Sequence, residues 1–309
     1  MDAHIKDLST KSLRFVQENC RNLEAARIRH LFLGESADNV MTELRRFANN
    51  DGGFGRGLEP DFALPASSPM ATSVGFQILE EMAAPSDHPV VREATRYLRG
   101  TFETELRGWP PVPRQVNDHP HAPWWHFSLP DPGSSADANW GNPTAELAGY
   151  LVRFGEPDGG SDRIEEAVTD EAIERLLSTG DSMEPHELYC YLRLYDCLPD
   201  HRRTELESKL TALVEEAVCL DASRWGSYTP QPIDFVRDHD SFLFTKYQNA
   251  LAENISYLLD TVSEDGVWYP TWSWGDGYPE AWEEARTEWI GIIAVKHLRA
   301  ISEFGGHED

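Results

Sequence analysis

Glu59-Pro60-Asp61 sets two carboxylates two residues apart, in a loop that is glycine-rich before it and proline-rich after it. Such a pair can divide acid–base work, one group held protonated as a donor and the other ionised. The same residues have a plainer use, with Asp61 capping the next turn and Glu59 pairing with Arg56, and the sequence leaves both open. Asp238-His239-Asp240 repeats the acid-x-acid spacing ahead of the helical segment that follows Phe242. There Asp238 and Asp240 suit a divalent cation such as magnesium, and His239 suits proton transfer. Capping by Asp240, with His239 on the surface, is the plainer use. Glu280, Glu283, Glu284 and Glu288 recur at helical spacing at the start of a helix, where negative charge is stabilising, so a solvated face is expected. His119, His121 and His126 surround Trp124-Trp125 without a three-ligand zinc spacing, so packing of the loop is expected. Trp272 and Trp274 lie among prolines and glycines, with Tyr278 close by, a setting too exposed for ordinary helix packing. Together with Trp124 and Trp125 they are candidate substrate-binding aromatics, whose faces suit a carbocation or a sugar ring.

Helices must carry these loops. Asp51-Gly52-Gly53-Phe54 and Asp265-Gly266-Val267-Trp268 each follow an apolar helical segment, and glycine there lets the chain take positive φ at a helix end. Aromatic corners at Phe54, Trp140, Trp225 and Trp268, with a degenerate one at Met183, fit a period of about 43 residues, the length of a helix pair with two turns. Trp109-Pro110 falls out of phase. Segments 90–104, 162–178, 202–220 and 249–261 are amphipathic at three- and four-residue spacing, whereas 71–82, 144–154, 187–195 and 289–301 are apolar over more of their circumference. Alternation of that kind is what two concentric helical layers require. The expectation is an all-α, α/α toroid of about six helical hairpins in one domain over 1–309, with N-terminal helices in 1–35 and a long Pro/Trp/His-rich loop at 107–142.

Lys+Arg total 27 against Asp+Glu 53, a formal charge of −26, and lysine occurs only at Lys6, Lys11, Lys209, Lys246 and Lys296. Charge of this density repels itself at ordinary ionic strength and is screened at ~1 M salt, where the Debye length is ~3 Å. A cytoplasmic protein of a high-salt organism is expected. Nucleic acid is excluded as a partner by its phosphates. Residues 1–20 carry charge throughout, so no leader peptide is expected, and no stretch approaches the ~20 apolar residues of a membrane span. Cys20, Cys190, Cys197 and Cys219 lack Cys-x-x-Cys spacing and are expected as buried, reduced thiols.

The Gly-x-aromatic corners at Gly52-Gly53-Phe54 and Gly266-Val267-Trp268, with Tyr257-Leu258 upstream of the second, resemble the repeat of the terpenoid cyclase and protein prenyltransferase superfamily. Val262 stands near the place of the repeat's glutamine. The blocks Asn50–Asp61, Trp272–Gly275 and Tyr278–Glu283 further resemble small single-toroid prokaryotic proteins of unassigned function. The resemblance implies a toroid whose central cavity holds an isoprenoid or other apolar ligand, with acid-initiated chemistry at Glu59, Asp61 or Asp240. The aspartate-rich Asp-x-Asp-Asp string of class II cyclases is missing, and Cys219-Leu220-Asp221 does not match the zinc site of prenyltransferases. Two other functions compete: a carbohydrate-active α/α-barrel enzyme with paired carboxylates, and a binding or scaffold toroid without catalysis.

Overall fold

Proline at the first helical position opens helices at Pro69, Pro89, Pro185, Pro232 and Pro279, where its fixed φ is already helical and its missing N–H costs nothing. The computed structural model describes residues 3–128, 139–155 and 164–305. Among these the chain is all-helical and has no β-strand. The helices are α1 (Ala3–Asn19), α2 (Asn22–Leu33), α3 (Ala37–Leu44), α4 (Pro69–Glu81), α5 (Pro89–Thr101) and α6 (Gly141–Phe154), then α7 (Ile164–Ser178), α8 (Pro185–Cys197), α9 (Asp200–Ala217), α10 (Pro232–Phe235), α11 (Phe244–Thr261) and α12 (Pro279–Phe304). The sequence places most of them within a turn. The helix start read at Glu280 and the apolar stripe read from Trp289 belong to one continuous helix, α12. Residues 129–138 of the long loop, and the first two residues expected in the α7 segment, lie outside the described residues.

The chain forms two compact units, Met1–Arg46 with Val218–Asp309, and Phe47–Ala217. In the second, α6 packs against α4, α5, α7 and α8. Its Ala145, Leu147, Ala148, Tyr150 and Leu151 are all buried, as its nearly all-round apolar sequence requires. Phe76 of α4 stacks on Tyr150 at 5.2 Å and on Phe154 at 5.6 Å. The amphipathic α7 and α9 pack against each other and keep one face in water. In the first unit α12 packs against α1, α2 and α11, burying Ala294, Val295 and Leu298.

The aromatic corners repeat in atomic detail. The Gly52 N–H donates to the Asn49 carbonyl at 3.0 Å and the Asn49 N–H to the Gly53 carbonyl at 2.9 Å. In the other unit the Gly266 N–H donates to Ser263 at 2.9 Å and the Ser263 N–H to Val267 at 3.0 Å. Both glycines take positive φ, 93° and 77°, where a side chain is strained. The aromatic that follows is buried in each case: Phe54 lies against Gly75 of α4, where an added Cβ would stand 2.5 Å from its ring. The Trp268 indole N–H donates to the Leu258 carbonyl in the last turn of α11 at 2.9 Å.

Trp109, out of phase by spacing, makes the same contact. Its indole N–H donates to the Leu98 carbonyl in the last turn of α5 at 2.8 Å, and Arg107, at φ 55°, occupies the place of the glycine. Trp225 and Trp140 are buried too, but bond to the Cys219 and Leu106 carbonyls, which lie in loops.

Candidate functional site

In the Phe47–Ala217 unit, the loop after Leu58 is clamped to the loop before Trp125. The Ala122 N–H donates to the Asp61 carbonyl at 2.7 Å and the Ala63 N–H to the Pro120 carbonyl at 2.8 Å, an isolated antiparallel bridge centred on Phe62 and His121. Three titratable side chains of the paired loops are buried: Glu59 is 8% exposed, Asp61 5% and His121 6%. Glu59 Oε1 accepts the Asp61 N–H at 3.3 Å. The Arg56 Nε–H donates to Asn49 Oδ1 at 3.0 Å. The loop pair thus joins two clusters that the sequence treats separately, the acidic pair and the histidines around Trp124-Trp125.

Aromatic rings border it. Trp125 meets Phe62 edge-on at 5.9 Å, and its indole Nε1 is shielded from water with no hydrogen-bond partner among the described residues. Trp124 stands half out in solvent. His121 Nδ1 contacts the His119 carbonyl at 2.7 Å and His121 Nε2 contacts Nδ1 of the exposed His126 at 3.1 Å. The carboxylates of Glu59 and Asp61, the imidazoles of His121 and His126 and the Trp125 indole therefore lie on two loops joined by backbone hydrogen bonds.

Asp238-His239-Asp240, in the other unit, is built otherwise. Asp238 and Asp240 are exposed, and Asp238 Oδ1 accepts the Asp240 N–H at 3.1 Å in a tight turn. Ser241, not Asp240, caps the segment leading into α11, through a 3.3 Å bond from the Leu243 N–H. His239 is a tether: Nδ1 lies 2.7 Å from Glu303 Oε1 on α12, and the ring packs on Phe244 and Phe304. Among the described residues no three His, Cys, Asp or Glu side chains gather to hold a metal ion.

The chain matches no family model, no curated protein and no solved structure.

The expected exposure of the aromatic segment is half right. Trp274 is only 2% exposed and packs on Trp282, because the turn after it folds the chain back onto α12. Trp272 is half-buried between Tyr228 at 5.5 Å and Trp289 at 5.1 Å. Tyr278 is exposed at a positive φ of 49°, a strained conformation for an aromatic residue.

Two charged networks escape the sequence patterns. On α4, α6 and α8, the Gln77 amide donates to Glu146 at 3.2 and 3.3 Å and Arg193 pairs with it at 3.0 Å. The Tyr150 hydroxyl, one turn on, is buried without a partner among the described residues, and burial raises its pKa far above the usual phenol range. A lone glutamate inside the apolar run of α6 is the signal that marks this network. Where α2 meets α12, Arg21 forks onto Glu24 at 2.7 and 2.9 Å and reaches Glu288 at 3.6 Å. Glu280, Glu283 and Glu284 are solvated as expected, but Glu288 is not. Burial pushes its pKa up to about 7 against the pull of Arg21, and the charges of Glu24 and Glu284 add to the rise. An open cleft of about 490 Å³ between α7 and α9 is lined by Asp170, Glu174, Arg202 and Glu205 and has no aromatic wall.

Proposed function

We propose that the protein is an α/α toroid of the terpenoid-cyclase kind that binds an apolar, isoprenoid-class molecule and performs acid–base chemistry on it at the Glu59–Asp61 loop. The observation that carries this reading is the burial of Glu59 and Asp61 in a loop pair bordered by Phe62 and Trp125. A protonated carboxyl there can transfer its proton to an alkene carbon, forming a C–H bond and a carbocation. Aromatic faces stabilise that cation by about 0.5–2 kcal/mol each, and loss of a proton to a carboxylate closes the sequence. A carbohydrate-active role is the second reading. Its support is the surface where the exposed Tyr228 meets the half-buried Trp272 and Trp289, since aromatic rings at a surface stack on sugars.

Calorimetry with geranylgeraniol and with a cello-oligosaccharide separates the two. The first reading expects heat with the isoprenoid alcohol only, lost in Asp61→Asn and Glu59→Gln at unchanged helicity. Heat with the oligosaccharide alone, lost in Trp272→Ala, transfers the assignment to the second reading, and no heat with either removes the first.

The acidic surface supports a second proposal, that the protein works in a cytoplasm of high salt. Circular dichroism then shows folding that strengthens from dilute buffer to molar KCl; equal stability in both contradicts it.

A further inference from the structure

We propose that the groove between α7 and α9 is a docking site for a basic amphipathic helix of a partner protein, an inference independent of the acid–base reading. One stripe of α7 forms its first wall. Asp170, Ile173, Glu174 and Leu177 fall at i, i+3, i+4 and i+7, so they share one face over two turns. Arg202 and Glu205, three apart on α9, form the other wall. The two helices pack against each other and leave an open groove of about 490 Å³ between these walls. Apolar groups at that spacing with charged ones beside them are the pattern by which one helix receives another. Ile173 is buried at 6% exposed, whereas Leu177 is 45% exposed, a large apolar side chain left uncovered on an outer helix.

Charge selects the occupant. Asp170 and Arg202 pair across the groove and cancel. Glu174 and Glu205, exposed on opposite walls, make no hydrogen bond or ion pair among the described residues. The groove therefore keeps two uncompensated negative charges beside an uncovered leucine. A second copy of the chain, at a formal charge of −26, brings like charge to like and is disfavoured. Nucleic acid is repelled by the same charge. A helix with leucines at three- and four-residue spacing and arginine or lysine on both flanks meets each demand. Its apolar stripe covers Leu177, and its cations reach Glu174 and Glu205. So short a groove makes the complex a transient one.

Fluorescence anisotropy tests this with the full chain and a labelled leucine–arginine peptide of about 15 residues, long enough to form a helix. The titration is run at the lowest KCl that keeps the chain helical. The proposal expects micromolar binding that weakens as salt rises. Leu177→Asp should weaken it by about 5–10-fold, since only the uncovered half of a leucine is at stake. Glu174→Lys and Glu205→Lys should each weaken it by roughly 3–10-fold. Glu253→Lys, the same change of charge on α11 in the other unit, should leave it unaltered. All four side chains are exposed, so each variant keeps the parent's circular dichroism. No binding at millimolar peptide, equal binding of a peptide with glutamate in place of arginine, or the same loss in Glu253→Lys as in Glu174→Lys would each overturn the proposal. Loss in the charge reversals with none in Leu177→Asp would also overturn it, and would make the groove a site for small cations such as spermine.

Discussion

Glu59-Pro60-Asp61 and Asp238-His239-Asp240 share one spacing, two carboxylates on either side of a single residue, and meet opposite fates in the two units. Around the first, the segment from Pro120 to Ala122 pairs with the backbone, and both acidic side chains are buried. In the second, Asp238 Oδ1 accepts the Asp240 N–H and His239 leans on α12. Burying a carboxylate is expensive and is tolerated where partners or function offset it, whereas an exposed one costs nothing to keep. The proposed acid–base chemistry is therefore assigned to the buried pair and not to the exposed one.

The corners sharpen the contrast, because they are alike where the loops differ. Trp109 in one unit and Trp268 in the other are buried and donate to the last turn of the preceding helix. Replacing either with alanine should cost about 3–5 kcal/mol in chemical denaturation, the usual range for a buried aromatic. An unaltered midpoint for Trp109→Ala would separate the two corners again.

Glu288 gives a pH-dependent test in the unit of the exposed loop. Its folded pKa of about 7 lies above the ordinary 4.5. The protonated form is thus favoured by folding, so its contribution is fully present below pH 4.5 and lost as pH rises through 7. The side chain is 33% exposed, and after allowance for screening Glu288→Gln should stabilise by about 1–2 kcal/mol at pH 8 and by nothing at pH 4.5. Hydrogen exchange in α2 and α12 across that range measures it, and a pH-independent difference would contradict the assignment.

Smaller effects are expected at the exposed loop. His239→Ala loses the Glu303 contact and its packing on Phe304, about 1 kcal/mol by urea denaturation. Asp240→Asn should stay within about 0.5 kcal/mol, as surface changes do. A larger loss at Asp240 than at His239 would mean that the carboxylate does more than close a turn.

Sequence patterns capture the helices because apolar periodicity is local, and they capture the Asp-Gly corners because glycine marks positive φ. They set Trp109 apart because it falls out of phase with the period, and Arg107 takes the positive φ there in place of glycine. The pairing of the Glu59–Asp61 loop is invisible locally, since the segment it bonds to lies far along the chain. Trp274 misleads for a related reason: its glycine-rich surroundings look like open loop until Trp282 closes over it. Glu146 was legible in principle as a lone charge in an apolar helix, whereas its partners Gln77 and Arg193 come from two other helices and need the packing to be seen.

The central claim is that burial, and not spacing, selects the acidic pair that acts. Geranylgeraniol titrations of Asp61→Asn and Asp240→Asn, side by side with the parent chain in molar KCl, test it most directly. The account predicts that Asp61→Asn loses binding while keeping the parent's circular dichroism and that Asp240→Asn binds as the parent does. Binding retained in Asp61→Asn and lost in Asp240→Asn would contradict it.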